Sequence, residues 1–181
     1  MNAPRKNEYG QKVLIDSEEI HAGIRQMGQR IADNYRDEPL TVIGCLKGSF
    51  IFMADLVRAI PRPLHIDFIE VSSYGNDLQS TGNVRIVKDF KHPVENSHVL
   101  IVEDIVDTGL TFDFLFEHIR LKKPASLEIA TLLVRRSVDQ EMRPVKYSCF
   151  TIGEEYVVGY GLDAAGLYRN LDHVAVFDAP V

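Results

Sequence analysis

Short runs of aliphatic and β-branched residues alternate along this sequence with segments of helical periodicity. The strand candidates are the runs 40–45, 65–72, 98–102 and 127–134, and the helix candidates are 16–35, 49–59 and 111–121. Strands that alternate with helices pair in parallel and are covered on both faces. The pattern therefore predicts an α/β fold with a mostly parallel central sheet flanked by helices, and ligands at the carboxyl ends of the strands.

Two of these helices carry residues that favour a defined start. Asp16 followed three residues later by Glu19 is the pattern of a capping box. Ser49 stands directly before the apolar residues of the second helix, where a serine hydroxyl can cap a free N–H group. We therefore expect side-chain caps at Asp16 and at Ser49.

Length and composition favour a single domain over residues 1–181. The chain is 45% hydrophobic and 25% charged, which suits one core. Residues 1–12 form a polar N-terminal arm, and the tail has short strand candidates near 145–152, 156–158 and 174–177 but no long helix. We therefore expect a small hood of short strands, built from 145–181 and the N-terminal segment, beside the main sheet.

Charge and residue usage exclude several classes of partner. The net charge of −6 gives no general attraction to nucleic acid or anionic lipid. No apolar run approaches the roughly 18 to 20 residues of a membrane span, and the start lacks the apolar core of an export signal. Cys45 and Cys149 have no Cys-x-x-Cys spacing and the histidines are scattered. We expect no nucleic-acid or membrane partner, no zinc, reduced thiols and a cytoplasmic location.

The strongest chemical signal is the stretch 99–111, VLIVEDIVDTGLT. A hydrophobic strand leads into the adjacent carboxylates of Glu103 and Asp104, and the turn DTGLT then opens directly into a helix. Free N–H groups at the helix start and two threonine hydroxyls suit a phosphate monoester. The carboxylates can accept from sugar hydroxyls or hold Mg²⁺. The stretch predicts a site for a sugar phosphate with a free diol, although DTG alone is equally typical of a capped turn.

This stretch and several others, in order, resemble the type I purine phosphoribosyltransferases, specifically those of hypoxanthine and guanine. The resemblance runs from about Val13 and includes LKGSF at 46–50, SSYGND at 72–77, STGNVRIVKD at 80–89, TLLVRRS at 131–137 and EYVVGYGLD at 155–163. It implies transfer of ribose 5-phosphate from phosphoribosyl pyrophosphate to N9 of a 6-oxopurine, yielding IMP or GMP and pyrophosphate. It further implies Mg²⁺ as cofactor and a homodimer or homotetramer.

The resemblance also implies a role for individual residues. It places the 5′-phosphate on Asp107, Thr108, Gly109, Leu110 and Thr111, and the ribose diol and a metal ion on Glu103 and Asp104. Asp107 is in addition the expected general base near purine N7. The pyrophosphate loop matches Leu46, Lys47 and Gly48, with a non-proline cis peptide, and a further pyrophosphate contact matches Arg169. Taken without the family, Lys47-Gly48 is also compatible with a plain turn.

The remaining implied roles concern the second metal, the lid and the base. Asp163 matches a second metal position, and Ser73 and Tyr74 begin a mobile lid that extends to Asn83. Tyr156 stands where the family has a stacking aromatic, and Val157 supplies backbone contacts to the purine. Arg135 replaces the family's usual lysine, which donates to purine O6. Arg135 should still reject adenine, whereas the ranking of the oxopurines stays open, as does an offset of one residue to Arg136.

Two other classes of function compete with the enzyme. The first is a regulator that keeps this fold to sense nucleotides or bind RNA, which would need a basic face or an added DNA-binding segment. The second is a receiver-type domain that uses the acidic pair for Mg²⁺, but such a domain has no use for DTGLT at a helix start. The chain is acidic and of one-domain length, so it lacks the feature that the regulator requires, and it carries a phosphate turn that the receiver-type domain does not use. The sequence therefore favours the enzyme.

Overall fold

The computed structural model describes residues 5–73, 84–107, 110–138 and 145–178, without the side chains of residues 73, 84 and 110–112. The helices are α1 (Ser17–Tyr35), α2 (Phe50–Ala59) and α3 (Leu110–Arg120). The strands are β1 (Val13–Ile15), β2 (Leu40–Leu46), β3 (His65–Ser73), β4 (Val84–Lys88), β5 (His98–Val106), β6 (Ser126–Arg135), β7 (Tyr147–Ile152), β8 (Val157–Val158) and β9 (Val174–Val176).

A six-stranded sheet of order β4-β3-β2-β5-β6-β7 forms the centre of the fold. Five of its strands run parallel, and β4 pairs antiparallel with β3. The predicted α/β fold, with a mostly parallel sheet between helices, is confirmed. Because β2, β5 and β6 are parallel neighbours, the segments that follow them leave the sheet at the same edge.

Alternate residues of the central strands pack into the hydrophobic cores on the two faces of the main sheet. Val42 and Leu100 pack with α1 and α2 on one face, whereas Ile43 and Ile101 pack with α3 on the other. Both faces are covered, so successive strand residues are buried and the strands are apolar at nearly every position. This double burial explains why β2 and the first half of β5 are continuous apolar runs in the sequence.

The two predicted caps have different outcomes. At α1 the capping box is present, since Asp16 Oδ1 accepts from the Glu19 N–H at 3.0 Å and Glu19 Oε2 accepts from the Asp16 N–H at 3.1 Å. At α2 the predicted side-chain cap is wrong. Ser49 has helical backbone angles and is buried, and its hydroxyl donates backward to the Cys45 carbonyl at 2.7 Å.

Two strands differ from what the sequence predicts, one in its length and the other in the sheet that it joins. β5 does not end at residue 102, because its pairing with β6 continues through Glu103 opposite Thr131 to Val106 opposite Val134. The acidic pair therefore belongs to the strand itself. β7 joins the main sheet by parallel pairing with β6, which corrects the assignment of 145–152 to the hood. By pairing there, β7 covers the edge that β6 would otherwise expose.

The hood is a separate three-stranded sheet of order β1-β9-β8. The N-terminal segment contributes β1, and the tail contributes the other two strands. The predicted lid begins at the end of β3 with Ser73, and its residues 74–83 lie outside the described part of the chain. Among the described helices, none has the length and apolar character needed to cross a membrane.

Asp89 links the end of β4 to the end of α3. Its carboxylate accepts from His118 Nε2 at 3.0 Å and from Lys122 Nζ at 3.1 Å. The Lys122 ammonium also lies 4.7 Å from the centroid of the Phe90 ring. Partial burial alone would raise the pKa of Asp89, but the hydrogen bonds from Lys122 and His118 outweigh it, so this pKa is lowered.

We expect Asp89→Asn to lower the free energy of unfolding at pH 7 by up to about 1 kcal/mol, since solvent screens this partly exposed cluster. A carboxyl with a lowered folded pKa stabilises the protein above its unfolded pKa of about 3.9, and the contribution is lost as the pH falls through the folded value. Urea unfolding should therefore show a gap between the two proteins that narrows below about pH 4. A matched Asp37→Asn change, at an exposed carboxylate with no ion pair in the described residues, should show no such pH dependence.

Candidate active site

Three chain segments meet where β2, β5 and β6 leave the sheet. The turn after β2 carries Lys47 and Gly48. β5 carries Glu103 and Asp104 near its end and is followed by Asp107, and β6 ends at Arg135. The peptide bond between Leu46 and Lys47 is cis, as the resemblance implies. The topology thus collects the predicted pyrophosphate loop, acidic pair, general base and base-contacting residue at one edge.

The acidic pair is held in an environment that disfavours two negative charges. Burial, followed by the charge of Asp104, raises the pKa of Glu103 to about 8, and a hydrogen bond from the Cys45 thiol only partly opposes this rise. Burial also raises the pKa of Asp104, against the hydrogen bond from the Ile105 N–H and the positive charge of Arg169. A cation bound beside the pair would offset this cost and favour both ionised forms.

Gly48 sits in tight contact with two parts of the site. A β-carbon placed on Gly48 would lie 1.7 Å from Asp104 Oδ2. Gly161 follows the strand β8, has φ of +105°, and a β-carbon there would lie 2.0 Å from the Gly48 carbonyl oxygen. The turn after β2 is thus packed between the acidic pair and the hood, and a side chain at either glycine would force its neighbour to move.

Arg135 forms a fork that ties β5 to the segment between β7 and β8. Its Nε donates to Asp107 Oδ2 at 2.8 Å, and its NH1 group donates to the Gly153 carbonyl at 2.8 Å and to the Glu155 carbonyl at 3.1 Å. The Arg135 side chain is only 11% exposed, whereas that of Asp107 is 48% exposed. The guanidinium therefore holds the carboxylate that the sequence predicts as general base while leaving that carboxylate accessible.

The hood places three further predicted residues in one network. Tyr156 donates its hydroxyl proton to the Asp163 carbonyl at 3.0 Å. The Asp163 carboxylate pairs with Arg169 at 2.6 Å and accepts from the Gly166 N–H at 2.6 Å. Arg169 also donates to the Gly161 carbonyl at 2.6 Å. This network reaches the turn after β2 through Gly161.

The structure separates the two candidates for the base-contacting arginine. Arg135 meets Asp107, whereas Arg136 is exposed and donates its backbone N–H to Ile152. Val157 is buried at the start of β8 and pairs with Val176. Thr108, Gly109 and Tyr74 lie outside the described residues, as do the side chains of Ser73, Leu110 and Thr111.

Residue-by-residue reasoning missed Cys45 and Gly161 as parts of this site. The thiol of Cys45 contacts Glu103 across neighbouring strands, and no local pattern distinguishes it from any other apolar residue of β2. The sequence does carry a signal for Gly161, because the two glycines of GYG at 159–161 indicate a turn or a close approach of the backbone.

Comparison with known proteins shows the family to which this chain is related. The family model described as phosphoribosyl transferase domain matches residues 11–165. The hypoxanthine-guanine phosphoribosyltransferase of Staphylococcus epidermidis is 46% identical over 172 residues, covering 93% of this chain and 94% of the relative. The hypoxanthine phosphoribosyltransferase of Haemophilus influenzae is 44% identical over 165 residues, covering 90% and 92%.

Solved structures of phosphoribosyltransferases match the fold of this chain. A crystal structure of a hypoxanthine phosphoribosyltransferase from Staphylococcus aureus has a TM-score of 0.86 and 42% identity, covering 92% of this chain and 91% of that one. A hypoxanthine-guanine phosphoribosyltransferase of Bacillus anthracis has a TM-score of 0.86 and 40% identity, covering 93% and 99%. The chain belongs to the phosphoribosyltransferase family. Its place within the family is among the hypoxanthine-guanine enzymes of purine salvage.

Enzymes of this kind generally depend on Mg²⁺. No group of three or more His, Cys, Asp or Glu side chains suited to a metal occurs among the described residues. Mg²⁺ does not need such a group, because it is usually held by one or two carboxylates with water and substrate phosphates. The buried pair of Glu103 and Asp104 fits this requirement, while the Asp163 carboxylate is already shared between Arg169 and Gly166.

Proposed function

We propose that this enzyme transfers ribose 5-phosphate from phosphoribosyl pyrophosphate to N9 of hypoxanthine or guanine. The observation that carries the proposal is the shared edge at which Asp107, the acidic pair and the turn at Lys47 and Gly48 meet. The helix α3 begins directly after the segment of Asp107, so its free N–H groups suit the 5′-phosphate. The whole substrate can thus be bound by neighbouring elements.

In this proposal, the sugar and the pyrophosphate are bound by the residues that surround Gly48 in space. Glu103 and Asp104 accept from the ribose hydroxyls and would hold Mg²⁺, which neutralises charge on the pyrophosphate when it is bound. The backbone of Leu46, Lys47 and Gly48 and the Arg169 guanidinium receive the leaving pyrophosphate. Asp163 would hold a second metal ion through the lone pairs that its contacts with Arg169 and Gly166 leave free.

The purine lies between the hood and the end of β6 in this proposal. Tyr156 stacks on the base and Val157 contacts it through its backbone, while Arg135 donates to O6. Asp107 takes the proton from N7 as N9 forms its bond to C1′ and the bond from C1′ to pyrophosphate breaks. Because Arg135 already binds Asp107 at 2.8 Å, recognition of O6 and removal of the proton depend on one pair of side chains.

A parallel turnover assay tests the proposed function. The enzyme, Mg²⁺ and phosphoribosyl pyrophosphate are mixed with hypoxanthine, guanine, xanthine or adenine, and the nucleoside monophosphate and pyrophosphate are measured. We expect turnover of hypoxanthine and guanine and none of adenine. Turnover of adenine, or of no purine, would contradict the proposal.

We expect Arg135→Lys to keep adenine excluded but to change the kcat/KM ratio of hypoxanthine to guanine, or to xanthine, by at least about threefold. Arg135 makes hydrogen bonds to Asp107, Gly153 and Glu155 through its planar guanidinium. Lysine is a compact point donor and lacks this planar fork, so it cannot reproduce that set of bonds. The ratios are measured for wild type, Arg135→Lys and Arg136→Lys. Unchanged ratios in the first variant with changed ratios in the second would move the contact to Arg136.

We further propose a homodimer or homotetramer, no nucleic-acid or membrane partner, and a cytoplasmic location. The free thiols of Cys45 and Cys149 support the last of these, since reduced cysteines are usual in that compartment. Sedimentation of the purified enzyme at several concentrations decides between dimer, tetramer and monomer.

A further inference from the structure

The ring of Tyr156 is fixed at one end and open on one side. Tyr156 is 54% exposed although it is a large aromatic residue. Its ring meets that of Phe177 edge to face, with 5.8 Å between the centroids, and its hydroxyl donates to the Asp163 carbonyl. A phenylalanine at this position would offer a base the same stacking surface, but it could not make the bond to Asp163.

Asp163, which accepts this hydrogen bond, is also linked to the residues that are proposed to bind pyrophosphate. The Asp163 carboxylate is bound by the Arg169 guanidinium and the Gly166 N–H, each at 2.6 Å. Arg169 donates in turn to the Gly161 carbonyl, and Gly161 rests against the Gly48 carbonyl oxygen. The hydrogen bonds thus form a continuous path from Arg169 through Asp163 to the Tyr156 ring.

We propose that the Tyr156 hydroxyl is a positioning group that couples occupancy of the pyrophosphate side to the affinity for the purine. The inference rests on the proposed function, in which Arg169 and Gly48 receive pyrophosphate and Tyr156 stacks on the base. A phosphate oxygen that draws on Arg169 alters the ion pair with Asp163, and the hydroxyl carries this adjustment to the ring. Coupling of this kind is a property of both sites and acts equally in both directions.

The test compares the enhancement of hypoxanthine binding by pyrophosphate within each protein. Calorimetric titration gives the dissociation constant of hypoxanthine with Mg²⁺ alone and with Mg²⁺ and saturating pyrophosphate. We expect pyrophosphate to tighten binding to the wild type, and we expect Tyr156→Phe to reduce that enhancement by at least about threefold. The reciprocal titration, pyrophosphate with and without hypoxanthine, should show the same reduction.

A matched control separates this role from a general effect on the hood. Tyr168 lies in the same hood, and its hydroxyl has no hydrogen bond among the described residues, so Tyr168→Phe should keep the full enhancement. Thermal unfolding shows whether Tyr156→Phe remains folded. An enhancement in Tyr156→Phe equal to that of the wild type, or no enhancement in the wild type, overturns the inference. Failure of the proposed function would be seen separately, as absence of wild-type turnover with hypoxanthine.

Discussion

Replacing Asp107 by Asn should lower kcat by roughly 10- to 10³-fold with smaller changes in the KM of either substrate, because an amide cannot take the proton from N7. General-base assistance is typically worth about 10² to 10⁴ in rate. The loss should lie in the lower part of that range or below it, since departure of pyrophosphate does not depend wholly on the base. Steady-state kinetics at saturating concentrations of both substrates measures the effect.

The Asp107 carboxylate, proposed as the general base, is bound by Arg135, whose side chain is almost fully buried beside it. An asparagine at position 107 keeps the size of the side chain but loses the charge that Arg135 faces. Asp37→Asn is a suitable control, because it makes the same change at an exposed position outside the site. A kcat for Asp107→Asn equal to that of the control would remove Asp107 from the proton transfer.

Much of the fold follows from local patterns in the sequence. The capping box at Asp16 and Glu19 and the apolar repeat of α1 are local features, and they predict the helix to within one residue of its start. The end of β5 is different. Polar residues at 103 and 104 indicate the end of a strand, but pairing with β6 keeps the backbone extended through both of them. The end of β5 is therefore set by its pairing with β6, which no local sequence pattern predicts.

The candidate site likewise has features that the sequence predicts and contacts that only the fold determines. The stretch 99–111 predicts an acidic pair beside a phosphate-binding turn from its residues alone, and the remaining roles come from the resemblance to a family. The contacts of Arg135 with Asp107, 28 positions away, and of Tyr156 with Asp163 depend on where the strands and the hood turns place each side chain. Such contacts join residues that are distant in the sequence, and no periodic pattern in the sequence predicts them.

Gly48→Ala should lower kcat/KM for phosphoribosyl pyrophosphate by about 10²-fold or more, the loss expected when reacting groups are misplaced by about 1 Å. The new methyl group would lie 1.7 Å from Asp104 Oδ2, so either the turn or the carboxylate must move. Both are proposed to contact the same substrate, and the Gly48 carbonyl is in addition packed against Gly161.

The control for Gly48→Ala is Gly23→Ala in α1. A β-carbon at Gly23 would come no closer than 3.3 Å to its neighbours, so a small adjustment accommodates it, and alanine favours the helix. Gly23→Ala should therefore keep wild-type kinetics. For Gly48→Ala, the KM of phosphoribosyl pyrophosphate should rise more than that of hypoxanthine, because the displaced groups face the sugar and pyrophosphate. Wild-type kcat/KM for phosphoribosyl pyrophosphate in Gly48→Ala would show that the turn after β2 takes no part in binding it.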